Sequence, residues 1–162
     1  MGKITKPVID LEGLPQEPSW YLVATNYNNE ESFEKNLKLG LKVMGLEEYI
    51  VETFIPIKHV KTVMSALKNV ELTEEDKDNL EKIKTLRNYV FVKAIMTEKV
   101  WDYVRTTKGA VTIIAPNGIP SYTPEEKIES LKYQVCADAT CEEDILKRFN
   151  KIKTDTDVAE EK

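Results

Sequence analysis

The sequence predicts an α+β sandwich of the ferredoxin-like kind, with a four-stranded antiparallel sheet, helices packed on it and an inserted helical hairpin. Three observations predict it. Short segments rich in aromatic and β-branched residues recur at Trp20–Thr25, Tyr49–Ile57, Leu86–Ile95 and Val111–Ile114, the composition of strands. Between them the apolar residues fall three or four apart, the period of a helix with one buried face. The order is strand, helix, strand, insert, strand, helix, strand, helix, which lets the helices lie on one face of a single sheet.

Taken in order, residues 1–19 hold Pro7, Pro15 and Pro18 with no apolar period, and read as an N-terminal arm. Trp20-Tyr21-Leu22-Val23 opens the first strand. Asn28-x-x-Glu31 has capping-box spacing, so a helix is expected from about 30, with Phe33, Leu37, Leu41 and Met44 on one face and Gly45 closing it. The second strand runs into Pro56, which suggests an edge or a strand end. Residues 58–86 carry six Lys/Arg and six Asp/Glu. There Val60, Val63, Met64 and Leu67 form one helical stripe, and Thr73-x-x-Asp76 can start a second helix with Leu80 and Ile83 inward. The third strand alternates, with Val90, Val92 and Ala94 pointing one way and Tyr89, Phe91 and Lys93 the other. A short helix from Glu98 to about Arg105 leads through Lys108-Gly109 into the fourth strand. Proline at the first helical position marks a last helix after Thr123, with Ile128 and Leu131 inward. Residues 134–162 read as an acidic extension, with one more helix over Glu142–Phe149 and a frayed end.

Composition limits the function. The net charge is −5, the opposite of the basic footprint of a protein that binds DNA through its own field. Residues 134–162 carry five Lys/Arg against eight Asp/Glu and residues 1–19 two against three, so the middle of the chain is near −1. No apolar run is long enough to span a bilayer, and Lys3 and Lys6 have no apolar stretch behind them, so no membrane partner and a cytoplasmic location are expected. Cys136 and Cys141 are spaced C-x4-C with the single histidine, His59, far away, which reads as two reduced thiols with no metal and no cofactor. Neither a phosphate-binding glycine loop nor a nucleophile with its base stands out, so no catalytic residue is assigned and the chain is not expected to be an enzyme. The pair Tyr89 and Phe91 is open to two readings, a face covered by a helix or the insert, or an aromatic groove for a partner's helix.

Five segments in order resemble one family. Trp20-Tyr21-Leu22-Val23 is similar to the opening strand of NusG-type transcription factors, and Lys42–Ile50 running into Phe54-Ile55-Pro56 is similar to their first helix end and second strand. Asn88-Tyr89-Val90-Phe91-Val92 resembles their F-P-G-Y-V-x-V strand, with the asparagine also similar to the RfaH-like paralogues. Trp101–Thr107 resembles the W-x-x-V-R-x-x segment, and Gly118-Ile119-Pro120 with Pro124-Glu125-Glu126 follows as the last turn and helix start. The resemblance covers about 20–133, the N-terminal (NGN) domain of that family with an insert at 58–86. It implies a factor for transcription elongation, termination and antitermination that binds RNA polymerase. Leu86, Tyr89 and Phe91 would meet the β′ clamp helices, the domain would reach towards the β lobe, and Arg105, Thr106, Thr107 and Lys108 would meet non-template DNA. Leu86 and Arg87 stand where the family has F-P, and the insert replaces a shorter, often basic hairpin. The small KOW barrel that follows in the family is not expected within 134–162, so ribosome or Rho contact would follow only from a KOW domain beyond. Alternatives are an operon-specific, RfaH-like antiterminator and an unrelated ferredoxin-like ligand-binding domain.

Overall fold

The computed structural model describes residues 11–139 and 142–148. Two compact units are present, one built from the chain up to Ile55 and Asn88–Ile128, the other from Pro56–Arg87 and the chain from Glu129 onwards.

In the first unit the strands are β1 (Ser19–Thr25), β2 (Ile50–Phe54), β3 (Tyr89–Ala94), β4 (Ala110–Ile113) and the two-residue β5 (Tyr122–Thr123), and the helices are α1 (Glu30–Met44), α4 (Glu98–Thr106) and the start of α5 (Glu125–Gln134). The spatial order is β2-β3-β1-β4, every pair antiparallel, with β5 extending the sheet beside the first half of β1. This is the expected α+β, ferredoxin-like arrangement. Its one unanticipated strand, β5, is too short to leave a period-two signal. A bulge between Ile50 and Glu52 distorts the pairing of β2, the outer strand of that path, a common way to blunt an edge.

Side chains directly opposite in register share a face, which sorts the sheet cleanly. Tyr21, Val23, Val90, Val92 and Ala94 form one face, all 2% exposed or less. Glu34 of α1 accepts a hydrogen bond from Thr53 of β2 on this same face, so α1 lies over it. Phe33 and Leu37 of α1 are fully buried, as is Ile128 of α5, whereas Leu41 and Leu131 are half-buried and Met44 is exposed. α4 lies beside α1, because Tyr103 donates to the Leu37 carbonyl at 2.5 Å. A Cβ at Gly40 would run into that Tyr103 hydroxyl.

The start of α1 differs from expectation. No side-chain cap forms at Asn29, and the capping box with Glu31 is absent. Asn28 instead has φ 59°, and the buried Glu30 turns away to accept from the backbone N–H of Asn88 at 2.7 Å. The carboxylate satisfies a donor from the turn before β3 rather than its own helix end. Pro56 follows an edge strand, as expected, β2 ending two residues before it at Phe54. It is the first residue of α2 (Pro56–Ala66), a position that needs no N–H donor.

The second unit contains α2, α3 (Glu74–Lys84) and a helical segment at 142–148. The Thr73–Asp76 capping box forms as expected, Thr73 Oγ1 accepting from Asp76 N at 3.1 Å. Val63, Leu67, Leu80, Cys136 and Ile145 make this unit's own apolar cluster. Met64, expected in the stripe of α2, is exposed. Cys136 is a free thiol pushed up by burial, while the Arg148 guanidinium opposes that shift. Cys141, the arm up to residue 10 and residues from 149 onward lie outside the described residues.

One core group carries a pH signature. Tyr21 is 1% exposed, its hydroxyl has no hydrogen-bond partner among the described residues, and burial, with Tyr122 adding to it, pushes its pKa to about 12 from 10.0. The folded chain therefore keeps a proton that the unfolded chain loses near pH 10, and stability declines as pH climbs from 10 towards 12. The expected loss is on the order of 2 kcal/mol. In urea titrations at pH 8 and pH 11.5, Tyr21→Phe should remove most of this alkaline decline. At pH 8 it should cost little, since the deleted hydroxyl is buried without a partner.

Candidate functional site

Two groups of residues converge in the first unit, one on the second sheet face and one at a sheet end. The second face carries Trp20, Leu22 and Ala24 of β1, Phe54 of β2, and Tyr89, Phe91 and Lys93 of β3, by the register Trp20↔Lys93, Leu22↔Phe91, Ala24↔Tyr89 and Phe54↔Phe91. The alternation read from the sequence thus puts Tyr89 and Phe91 together. Their exposures differ. Tyr89 is half-buried, but Phe91 is 4% exposed and stacks on Phe54, ring centroids 6.1 Å apart. An open groove floored by both rings is therefore not what this face presents. Leu86, the third residue of that expected set, belongs to the second unit, where it is half-buried and its N–H bonds the Ile83 carbonyl at the end of α3.

Lys93 adds a polar cluster that the sequence did not announce. Its ammonium lies 2.7 Å from Glu125 Oε1 and 5.8 Å from the Trp20 ring centroid, while Trp20 Nε1 donates to Glu125 Oε2 at 3.0 Å. One carboxylate at the first turn of α5 thereby ties β1, β3 and the helix start together. Residues 105 apart carry no local pattern that would reveal this bond.

At the sheet end, Arg105, Thr106, Thr107 and Lys108 close α4 and lead into β4. The two hydroxyls donate back into the helix, Thr106 to the Asp102 carbonyl and Thr107 to the Tyr103 carbonyl, each at 2.6 Å. Such back-bonding uses the donors of both threonines. Arg105 pairs with Asp102 at 3.1 Å, and its Nε is enclosed without a hydrogen-bond partner among the described residues. The Lys108 side chain is exposed, and its carbonyl accepts from Asn36 Nδ2 at 3.2 Å. Of the four residues, Lys108 and the outer face of Arg105 offer the cationic surface.

This loop is docked, not dangling. The Gly109 carbonyl accepts from Asn26 N at 2.9 Å. Gly109 has φ 104°, and a Cβ there would stand 3.1 Å from the Phe33 Cβ, so glycine permits both the turn and the close approach. Asn88 joins the same region from the start of β3. With φ 70°, it accepts from Thr25 N through its carbonyl and from Asn28 N through its side chain. Asparagine tolerates this left-handed conformation, a local reason for its place before Tyr89.

Among the described residues, no group of three His, Cys, Asp or Glu side chains stands together to hold a metal ion, and no helix is long and apolar enough to cross a membrane.

Known proteins share this pattern. The family model NusG, described as transcription termination factor nusG, matches residues 18–132. The transcription termination/antitermination protein NusG of Staphylococcus carnosus is 30% identical over 102 residues, 63% of this chain and 50% of that protein. The protein of the same description from Thermus thermophilus is 27% identical over 113 residues, covering 66% and 56%. The chain spans about half the length of the curated relatives it matches. Among solved structures, the one titled "Domain interaction in Thermotoga maritima NusG" superposes with a TM-score of 0.53 over 75% of this chain and 59% of that chain, at 17% identity, which shows a shared fold. The family match begins one residue before β1 and ends within α5, taking in every strand of the sheet: the chain belongs to the NusG family.

Proposed function

We propose that this chain is a non-enzymatic transcription termination/antitermination factor that acts in the cytoplasm by binding RNA polymerase. The β3 face meets the β′ clamp helices, the domain reaches towards the β lobe, and the Arg105–Lys108 loop faces the non-template DNA strand. The observation that carries this reading is the family match over 18–132, which takes in both the aromatic face and the cationic loop. The acidic net charge of −5 is compatible with it. The polymerase holds the DNA, and the loop has only to add a local contact.

The experiment is co-elution of the chain with core RNA polymerase and a titration of affinity. Tyr89 is the informative position, being half-buried and therefore removable at small cost to the fold. Tyr89→Ala should raise Kd by about thirtyfold if the ring is an anchor, the effect of roughly 2 kcal/mol typical of such aromatics. Tyr89→Phe should retain most of the affinity. Phe91→Ala is expected to cost about 3–5 kcal/mol of stability, so its loss of binding would be ambiguous. A wild-type chain that fails to co-elute with the polymerase would overturn the reading.

A further inference from the structure

We propose that Tyr27 is a stacking platform for an unpaired base of single-stranded DNA whose phosphates run past the Arg105–Lys108 loop. The proposal rests on the reading of the chain as a factor seated beside the transcription bubble, and it adds a contact of a different chemical kind.

Tyr27 is 71% exposed, the most exposed aromatic side chain among the described residues. It occupies the second position of a tight turn, Asn29 N bonding the Asn26 carbonyl at 3.0 Å, and the next residue, Asn28, has φ 59°. Both neighbours are tied to other segments. Asn26 N donates to the Gly109 carbonyl at 2.9 Å and Asn28 N to Asn88 Oδ1 at 3.1 Å. Asn88 is in turn held by the buried Glu30 carboxylate at 2.7 Å. The backbone that carries the ring is therefore ordered before any partner arrives, which removes much of the entropic cost of binding.

The first of those ties fixes which loop lies beside the turn. Gly109 directly follows Lys108, so the β1–α1 turn and the α4–β4 loop are hydrogen-bonded neighbours. A presented aromatic on a turn hydrogen-bonded to the loop that carries exposed Lys108 combines the two elements by which single strands are held. A cation meets the phosphates and a π-face takes a base whatever its identity. Duplex DNA offers no free base face, so the geometry favours a strand already unpaired.

The test is photocrosslinking of the full chain to single-stranded DNA carrying 5-iodouracil, which couples under long-wave light to a stacked aromatic ring, with adducts mapped by mass spectrometry. One arm uses the free chain at low salt, the other an assembled elongation complex with the probe in the non-template strand. Wild type and Tyr27→Phe should give an adduct on the peptide containing residue 27. Tyr27→Ala should weaken single-strand binding by about tenfold, the size of one base–aromatic stack. Its thermal unfolding should be unchanged, as befits a residue 71% exposed. Lys108→Gln should lower the slope of log affinity against log salt by about 0.7, one phosphate on a single strand. Adducts at residue 27 with free DNA but no co-elution with polymerase would sink the polymerase reading and leave the stacking site standing. Retention on polymerase with no adduct dependent on Tyr27 in either arm overturns the stacking site and leaves the polymerase reading intact. Crosslinking to RNA alone also overturns it.

Discussion

Replacing Phe33 with alanine should lower the unfolding free energy by about 3–5 kcal/mol, a large part of what a domain of this size possesses. Phe33 is 0% exposed and sits one turn into α1, on the stripe that meets the sheet. The ring lies where collapse is restricted. Its Cα and Cβ face the Gly109 backbone, and β1 lies under the same helix layer. A cavity that cannot close loses both transfer energy and packing contacts. Chemical denaturation of Phe33→Ala and Leu37→Ala checks this. Leu37→Ala, also 0% exposed, is expected to cost about 2–5 kcal/mol. Losses below about 1 kcal/mol at both sites would mean that α1 does not carry the core.

Gly109→Ala should cost about 1–3 kcal/mol and disturb the loop beside it. Two effects act together. The φ of 104° is one that residues with a Cβ rarely adopt, and the new methyl would stand 3.1 Å from the Phe33 Cβ and 3.2 Å from its Cα. The second contact is with backbone, so no side-chain rotation relieves it. The chain must shift at the turn, where the Gly109 carbonyl holds Asn26. The shift should therefore reach Tyr27 and Lys108 as well as the core. Alanine at 33 keeps the Cα and Cβ that the new methyl meets, so the cost of Gly109→Ala should persist in a Phe33→Ala background, the two changes adding to within about 0.5 kcal/mol. A cost that vanishes in that background would mean that the clash is with the Phe33 ring and not with its backbone and Cβ.

The proposed contacts fall in two classes with different legibility. The alternation of β3 alone placed Tyr89 and Phe91 on one face, because strand geometry fixes side-chain direction residue by residue. It said nothing about depth. Phe91 is buried against Phe54, a residue thirty-seven positions earlier that arrives only through the β2–β3 register. In the Arg105–Lys108 loop the charges were visible, but the back-bonding of Thr106 and Thr107 was not. A hydroxyl can donate to a helix carbonyl or to a ligand, and the sequence does not distinguish the two.

The N-terminus of α1 shows the same limit in smaller compass. Asn28-x-x-Glu31 has the spacing of a capping box, yet the carboxylate that matters is Glu30, recruited by the Asn88 N–H across 58 positions. A half-buried donor just before β3 prevails over a local cap, since leaving it unpaired costs more than an exposed helix end solvated by water. Thr73-x-x-Asp76 closes as its spacing predicts, each side chain accepting from the other's backbone N–H.

What the sequence by itself determined is therefore what periodicity and local geometry encode. That includes four of the strands, the helices between them, the face of β3 on which each side chain stands, and the turns at Gly45, Gly109 and Asn117-Gly118. Five ordered segments of that pattern also carried the resemblance to the NusG family. The tertiary structure alone decided the strand order β2-β3-β1-β4, the Lys93–Glu125–Trp20 cluster, the burial of Phe91 and the meeting of the Tyr27 turn with the Lys108 loop. Each of these joins residues distant in sequence. Their energies depend on burial and on competing partners, which no local window of residues contains.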